Sequence, residues 1–282
     1  MTVTRGTDVL RGTSVTRGTG VLRGTGVVPS TSNLPALESA VNDLLTSRAG
    51  SYYKPYDYNT MFQDSSGTTP VTADLDPVAY VTGFNTYGTA VHMTQATAGR
   101  ECRANTIGGF QGVQGTGAND SLFASVTTVT APVTYGVRIR NDSTRGTNQS
   151  QAHLYHSDGV ASTPSNFTSF FRGNSSASPS YTHGAYRGSS IFSSTTTVLS
   201  TSNYLTSVMD TSANIRLNGT ERVSASNGSL DNFTYVGLCG APWTAINYND
   251  FGVIEKAFWC EGALSAGEIT TLENWLAVAG DA

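Results

Sequence analysis

The sequence predicts an all-β sandwich closed by one C-terminal helix and preceded by an extended arm and a short helix. From residue 52 onward, short runs of alternating apolar residues are separated by clusters of Gly, Ser, Thr and Asn, the pattern of many strands joined by polar turns. Only 13% of the 282 residues are charged, a balance common in extracellular and virion proteins and unlike a typical soluble cytoplasmic enzyme. Residues 3–28 write nearly the same six residues four times, which suits an extended chain.

That stretch reads "VTRGTDVLRGTSVTRGTGVLRGTGVV". Val3, Val9, Val15 and Val21 stand six apart, as do Arg5, Arg11, Arg17 and Arg23. Six is even, so the valines share one side of an extended chain. A helix would rotate about 600 degrees over six residues and would pay about 1 kcal/mol for each internal glycine. With no apolar run longer than two residues, the stretch is no signal peptide and is expected to stay on the mature protein. Hexads build parallel β-helices, but this stretch is too short to bury a core alone. A trimeric prism of three arms, an extended clamp on a partner surface and a disordered tail all remain open. Four arginines against Asp8 give the arm +3 and leave −7 on the rest of a chain whose total is −4. A basic arm suits an acidic protein partner; four arginines without an aromatic residue or lysine make a poor nucleic-acid footprint.

Residues 29–51 form a connector. Ser32 or Asn33 can cap a helix, Pro35 suits its first turn, and Leu34, Leu37, Val41 and Leu44 lie on one stripe. The stripe fits a short three-stranded coiled coil or packing on the body equally well. Residues 52–282 form the β body. Val133, Tyr135, Val137 and Ile139 alternate, as do Ile215 and Leu217, and Asn218-Gly219 is a strong hairpin signal. In "LSAGEITTLENWLAVAG", Ser265 and Glu268 form a capping box and Ile269, Leu272 and Leu276 share a face.

Chemistry-bearing residues are sparse. Cys102, Cys239 and Cys260 are too few and scattered for a disulfide scaffold or a zinc site; Cys239 and Cys260, on separate strands, could pair, but the odd total favours a reducing compartment. His153 and His156 stand three apart beside Asp158, a spacing that faces opposite sides of a strand. The acids sit mostly at turns, among them Asp210, and Glu255 alone looks fixed in a strand near a sheet edge. No nucleophile elbow, Walker loop or His-Glu-x-x-His occurs, so no catalytic residue, metal site or cofactor is expected. Sugar binding needs aromatic platforms beside amides and carboxylates. "GAPWTAINYND" supplies Trp243, Asn247, Tyr248 and Asp250, and "PSYTHGAYRG" supplies Tyr181, His183 and Tyr186. These are the candidate sugar contacts; the alternative is an edge cap or a subunit contact. No run approaches 18 apolar residues, so no membrane span is expected.

"FGVIEKAFWCEGALSAGEITTLENWLA" resembles the closing strand and helix of concanavalin A-like, laminin-G-like jelly rolls, and "TSVMDTSANIRLNGTERVSAS" is similar to a hairpin of such domains. "YNTMFQDSSGTTPVTADLDPVAYVTG" and the stretch after it resemble the opening of this domain in bacteriophage structural proteins, although Glu101-Cys102 stands where a proline is usual. The resemblance implies a jelly-roll sandwich used for carbohydrate or surface recognition or as a virion-exposed ornament; with the sparse chemistry and the basic arm, the expected protein is a virion structural protein that is not an enzyme, a surface decoration, cement or fibre protein anchored by its arm. Its alternatives are a tail fibre or spike recognising a host glycan, and a stand-alone lectin or glycan-processing enzyme. The expected partners are two further copies in a homotrimer, capsid or tail proteins of the phage and, as an open option, host surface glycans, without nucleic acid or membrane. The attachment and trimer contacts would be the arm valines and arginines with Leu34, Leu37, Val41 and Leu44. The expected location is the surface of a virion made in the host cytoplasm.

Overall fold

Where the hexads give way to a 3-4-3 spacing, the chain turns helical: α1 (Leu34–Asp43) has Pro35 in its first turn. The structure, a computed structural model, describes residues 33–116, 120–130, 132–141, 151–157, 167–174, 181–187, 190–197, 202–210, 212–226, 232–240 and 252–280. The hexad arm, with Val3, Arg5, Val9, Arg11, Val15, Arg17, Val21 and Arg23, lies outside them.

The first strands are short: β1 (Gly50–Tyr53), β2 (Met61–Phe62), β3 (Pro77–Val78), β4 (Tyr80–Val81), β5 (Gly83–Phe84) and β6 (Met93–Thr94). Longer ones follow as β7 (Cys102–Ile107), β8 (Phe110–Gln114), β9 (Leu122–Val129), β10 (Val133–Asn141), β11 (Gln151–Ser157) and β12 (Phe167–Asn174). The remainder are β13 (Tyr181–Arg187), β14 (Ser190–Thr197), β15 (Ser202–Met209), β16 (Ser212–Leu217), β17 (Thr220–Ser226), β18 (Phe233–Leu238) and β19 (Gly252–Glu261), before α2 (Ala266–Ala277).

These strands make two antiparallel sheets. The ten-stranded sheet runs β17-β16-β15-β10-β19-β8-β7-β3, with β1 beside β19 and β5 beside β1. The nine-stranded sheet runs β14-β13-β12-β11-β18-β9-β6-β4-β2. Their facing sides share one core. Val133, Tyr135, Val137, Ile139, Ile215 and Leu217 enter it from the first sheet, and Leu154, Phe233, Val236 and Leu238 from the second. The alternation read from the sequence is therefore the inner face of a sheet. Asn218 and Gly219 turn from β16 to β17 with φ of 49° and 77°, the left-handed pair that a two-residue hairpin requires.

A second core covers the outer face of the ten-stranded sheet. There Leu34, Val41, Leu44 and Leu45 pack with Tyr52, Phe258, Ile269, Leu272, Trp275 and Leu276. The apolar stripe of α1, including partly buried Leu37, thus packs on the body of its own chain. Each large side chain buried this way contributes roughly 1.5–3 kcal/mol. At Gly136 a Cβ would lie 3.0 Å from both Leu272 and Leu276, so the missing side chain lets α2 lie close on β10. The capping box forms as read: Glu268 N donates to Ser265 Oγ while Ser265 N donates to Glu268 Oε2.

Candidate functional site

The side chains under α2 are charged, and a break in strand register places them there. In β19, Lys256 pairs with Arg138 and Ile254 with Ile139, so Glu255 is an extra residue at a β-bulge. A bulge re-aims a side chain that alternation would send elsewhere, and Glu255 and Lys256 both reach the C-terminal end of α2. Arg138 Nε meets Glu255 Oε2 at 2.6 Å, and its Nη1 donates to the carbonyls of Leu276 and Ala277 at 2.8 and 2.7 Å. Lys256 Nζ donates to the carbonyls of Trp275 and Val278, both at 2.9 Å. Two cations thus satisfy the last carbonyls of the helix and oppose its dipole. Glu255, expected near a sheet edge, is in a central strand, only 2% exposed, and is consumed by this anchor.

The next turn of α2 carries Glu273 to the neighbouring strands. Thr206 Oγ1 donates to Glu273 Oε1 at 2.8 Å, and Arg216 Nε donates to the same oxygen at 2.7 Å. Arg216 Nη2 donates to the carbonyl of Gly219 at 2.6 Å. Its hydrogen bond to Glu273 holds the Arg216 guanidinium above its ordinary pKa.

Beside this ion pair a cleft of about 500 Å3 opens between α2 and the outer face of β15, β16 and β17. Val208, Leu264 and Ile269 give it apolar walls, and Asp210, Asn214, Arg216 and Glu221 give it polar ones. Asn214 Nδ2 donates to Glu221 Oε2 at 2.9 Å, which orients the carboxylate. The two-residue turn sets Arg216 opposite Glu221 in register. Two carboxylates, an amide and a guanidinium in one concavity can bind a polyol and exchange protons with it.

A second concavity, about 490 Å3, lies where β1, β9 and the segment 85–91 meet. Tyr87, 53% exposed, stands at its rim and donates from its hydroxyl to Asp43 Oδ1 at 2.6 Å. Ser125 and Thr127 line one side, and buried Trp259 lies at its base. Asn85, also in the lining, is fully engaged: it donates to the Gly50 carbonyl and accepts from the amides of Tyr87 and Gly88.

The residues chosen from sequence fall elsewhere. Trp243, Asn247, Tyr248 and Asp250 lie outside the described residues. Tyr181, His183 and Tyr186 belong to β13, whose backbone alone is described, in register with Asn174, Arg172 and Ser169 of β12. His156 is buried between the sheets; Tyr135 Oη lies 2.6 Å from its Nδ1, and burial pulls its pKa down to about 3. Among the described residues no disulfide forms: Cys239 belongs to the inner core and Cys260 to the outer one. Burial pushes the Cys260 thiol up to about 12. Among the described residues no helix is long and apolar enough to cross a membrane, and no cluster of three or more His, Cys, Asp or Glu could hold a metal. Sequence reasoning missed Asn214, Arg216 and Glu221 as site residues. The Asn218-Gly219 turn was the available signal, because a two-residue hairpin sets Arg216 across from Glu221.

No family model and no curated protein sequence matches the chain. Solved structures do resemble it. A GH54 α-L-arabinofuranosidase superposes with a TM-score of 0.54 at 13% identity, over 72% of this chain and 52% of that one. A sialidase from Trypanosoma rangeli, in complex with 2,3-difluorosialic acid, gives 0.50 at 12% identity, over 88% of this chain and 39% of that one. This chain therefore spans about half the length of the first and two fifths of the second. The likeness is one of fold. Both structures are of glycan-processing enzymes and neither is of a virion structural protein, which overturns the expectation of a non-enzymatic virion structural protein. The two-sheet β architecture expected from the resemblance is present; no link to bacteriophage proteins accompanies it.

Proposed function

We propose that this chain is a concanavalin A-like jelly-roll domain that processes glycans and that the saccharide occupies the cleft between α2 and strands β15 to β17. The observation that carries this reading is the pair Asp210 and Glu221 in one cleft, on a fold shared with glycan-processing enzymes. Glycoside hydrolysis uses two carboxyl groups flanking the scissile bond, one protonating the leaving oxygen and the other acting as nucleophile or activating water. Asp210 and Glu221 are the pair for these roles. Val208, Leu264 and Ile269 would pack on the C–H face of a sugar ring, and Asn214 holds Glu221 in place.

The test is a panel of arabino-oligosaccharides, sialyllactose and chito-oligosaccharides offered to the full chain, read by calorimetric titration and by release of reducing ends. At least one sugar is expected to bind and be cleaved. Glu221→Ala and Asp210→Ala should each abolish cleavage without moving the urea midpoint. Silence across the panel, or cleavage that survives both substitutions, would overturn the proposal.

A further inference from the structure

We infer that the cleft beside α2 selects a saccharide carrying a protonated amine, an inference that rests on the glycan reading above. The cleft brings its charge to bear unequally. Its cation, Arg216, is already committed: Nε and Nη2 both meet the carboxylate of Glu273, at 2.7 and 3.3 Å, and Nη2 also meets the Gly219 carbonyl. That ion pair cancels itself. Asp210 and Glu221 line the same cleft and, among the described residues, neither is within ion-pair distance of a cation, although Glu221 stands across from Arg216 in register and its charge acts on that guanidinium. The neutral member points the same way. Asn214 spends its Nδ2 on Glu221, while its Oδ1 is buried and has no hydrogen-bond partner among the described residues.

The unspent groups of the site are therefore chiefly acceptors, two carboxylates and one amide oxygen, beside the buried Ser207 hydroxyl, which can donate or accept. A buried acceptor left without a donor costs about 1–3 kcal/mol, so a ligand donor that reaches Asn214 Oδ1 relieves that penalty, while Asp210 and Glu221, both exposed, offer their charge to it from the rim. An ammonium group supplies three donors and no acceptor, and its bonds to carboxylates are charge-assisted and roughly twice as strong as neutral ones. Ring hydroxyls can serve the same acceptors, but a sugar carboxylate cannot: it would face Asp210 and Glu221 with like charge. The apolar side formed by Val208, Leu264 and Ile269 calls for a ring face beside the amine rather than a bare polyamine. A glucosamine-type unit has both features. Neutral sugars fit less well, and uronate or sialate units are disfavoured.

Titration of the full chain with a glucosamine tetrasaccharide, its N-acetylated counterpart and tetragalacturonate tests the inference. The free amine should bind roughly tenfold tighter than the N-acetylated form, as expected when a charge-assisted bond replaces a neutral one, and the uronate should not bind. Raising the salt should shrink the advantage, as should Asp210→Asn and Glu221→Gln, both checked for an unchanged urea midpoint. Equal or tighter binding of the N-acetylated sugar or the uronate would overturn the amine selectivity and leave the glycan reading intact. Binding of other sugars with none of these three would do the same. No saccharide binding at all would overturn both.

Discussion

The space between the two sheets and the outer face of the ten-stranded sheet are built by opposite rules. Between the sheets, side chains are apolar and titratable groups are kept neutral: His156 sits against Tyr135, Phe233 and Trp259 with its pKa pulled down to about 3. On the outer face charge is retained and paired, with Arg138, Glu255, Lys256, Arg216 and Glu273 all tied to α2 or to one another. The first arrangement holds two sheets together without directional demands. The second fixes one helix at a set place on one sheet, because ion pairs and carbonyl contacts are satisfied at one position only. That helix is a wall of the cleft. The rigid polar anchor and the candidate site therefore occupy the same face.

The largest effect should come from the anchor. Glu255→Ala leaves Arg138 buried and unpaired, and breaking a buried pair in this way costs about 3–5 kcal/mol. A urea titration should show that loss. A change under 1 kcal/mol would mean that the outer face does not depend on its charges. Glu221→Ala should behave in the reverse manner: stability within about 0.5 kcal/mol of the parent, but saccharide affinity down roughly ten- to hundredfold, the range for a lost hydrogen bond to a charged group.

The inner space makes a prediction in pH. The native His156 pKa of about 3 lies below the ordinary 6.5, so between those values the unfolded chain takes up a proton that the folded chain refuses. Stability contributed by neutral His156 is complete above about pH 6.5 and is lost as pH falls towards 3, at up to about 1.4 kcal/mol per pH unit. Carboxylates held low by hydrogen bonds, such as Glu268, add their own loss only below about pH 4.5. Urea midpoints between pH 7 and 5 should therefore fall in the parent and stay level in His156→Phe; parallel slopes would show that His156 is not the group responsible. The smallest effect is expected at the second concavity. Tyr87→Ala removes an exposed ring and one hydroxyl contact to Asp43, so stability should move by no more than about 1 kcal/mol and saccharide affinity should not change.

Local signals explain how much of this was legible. The alternation from Val133 to Ile139, the Asn218-Gly219 turn and the Ser265–Glu268 box each depend on neighbours within a few residues, and each appears in the structure as read. Glu255 was misplaced because a bulge is invisible to alternation and because the partners of β19 are β10, β8 and β1, far away in sequence. The stripe of α1 carried no mark to say whether a second copy or its own body would cover it; Tyr52, Trp275 and Leu276 cover it here. The cleft was the least legible. Asp210 looks like one more turn acid until α2 folds back beside it, and a site made of carboxylates and an amide carries no aromatic platform to mark it in the sequence.

Crystallography of the full chain soaked with a cleaved or tightly bound oligosaccharide from the panel tests the central claim most directly, because it locates the sugar without reference to rate. The account predicts saccharide density between α2 and β15 to β17, with ring atoms against Val208 and Ile269 and polar groups within hydrogen-bond reach of Asp210, Asn214 and Glu221. Density in the concavity beside Tyr87, with the cleft beside α2 holding only solvent, would contradict it.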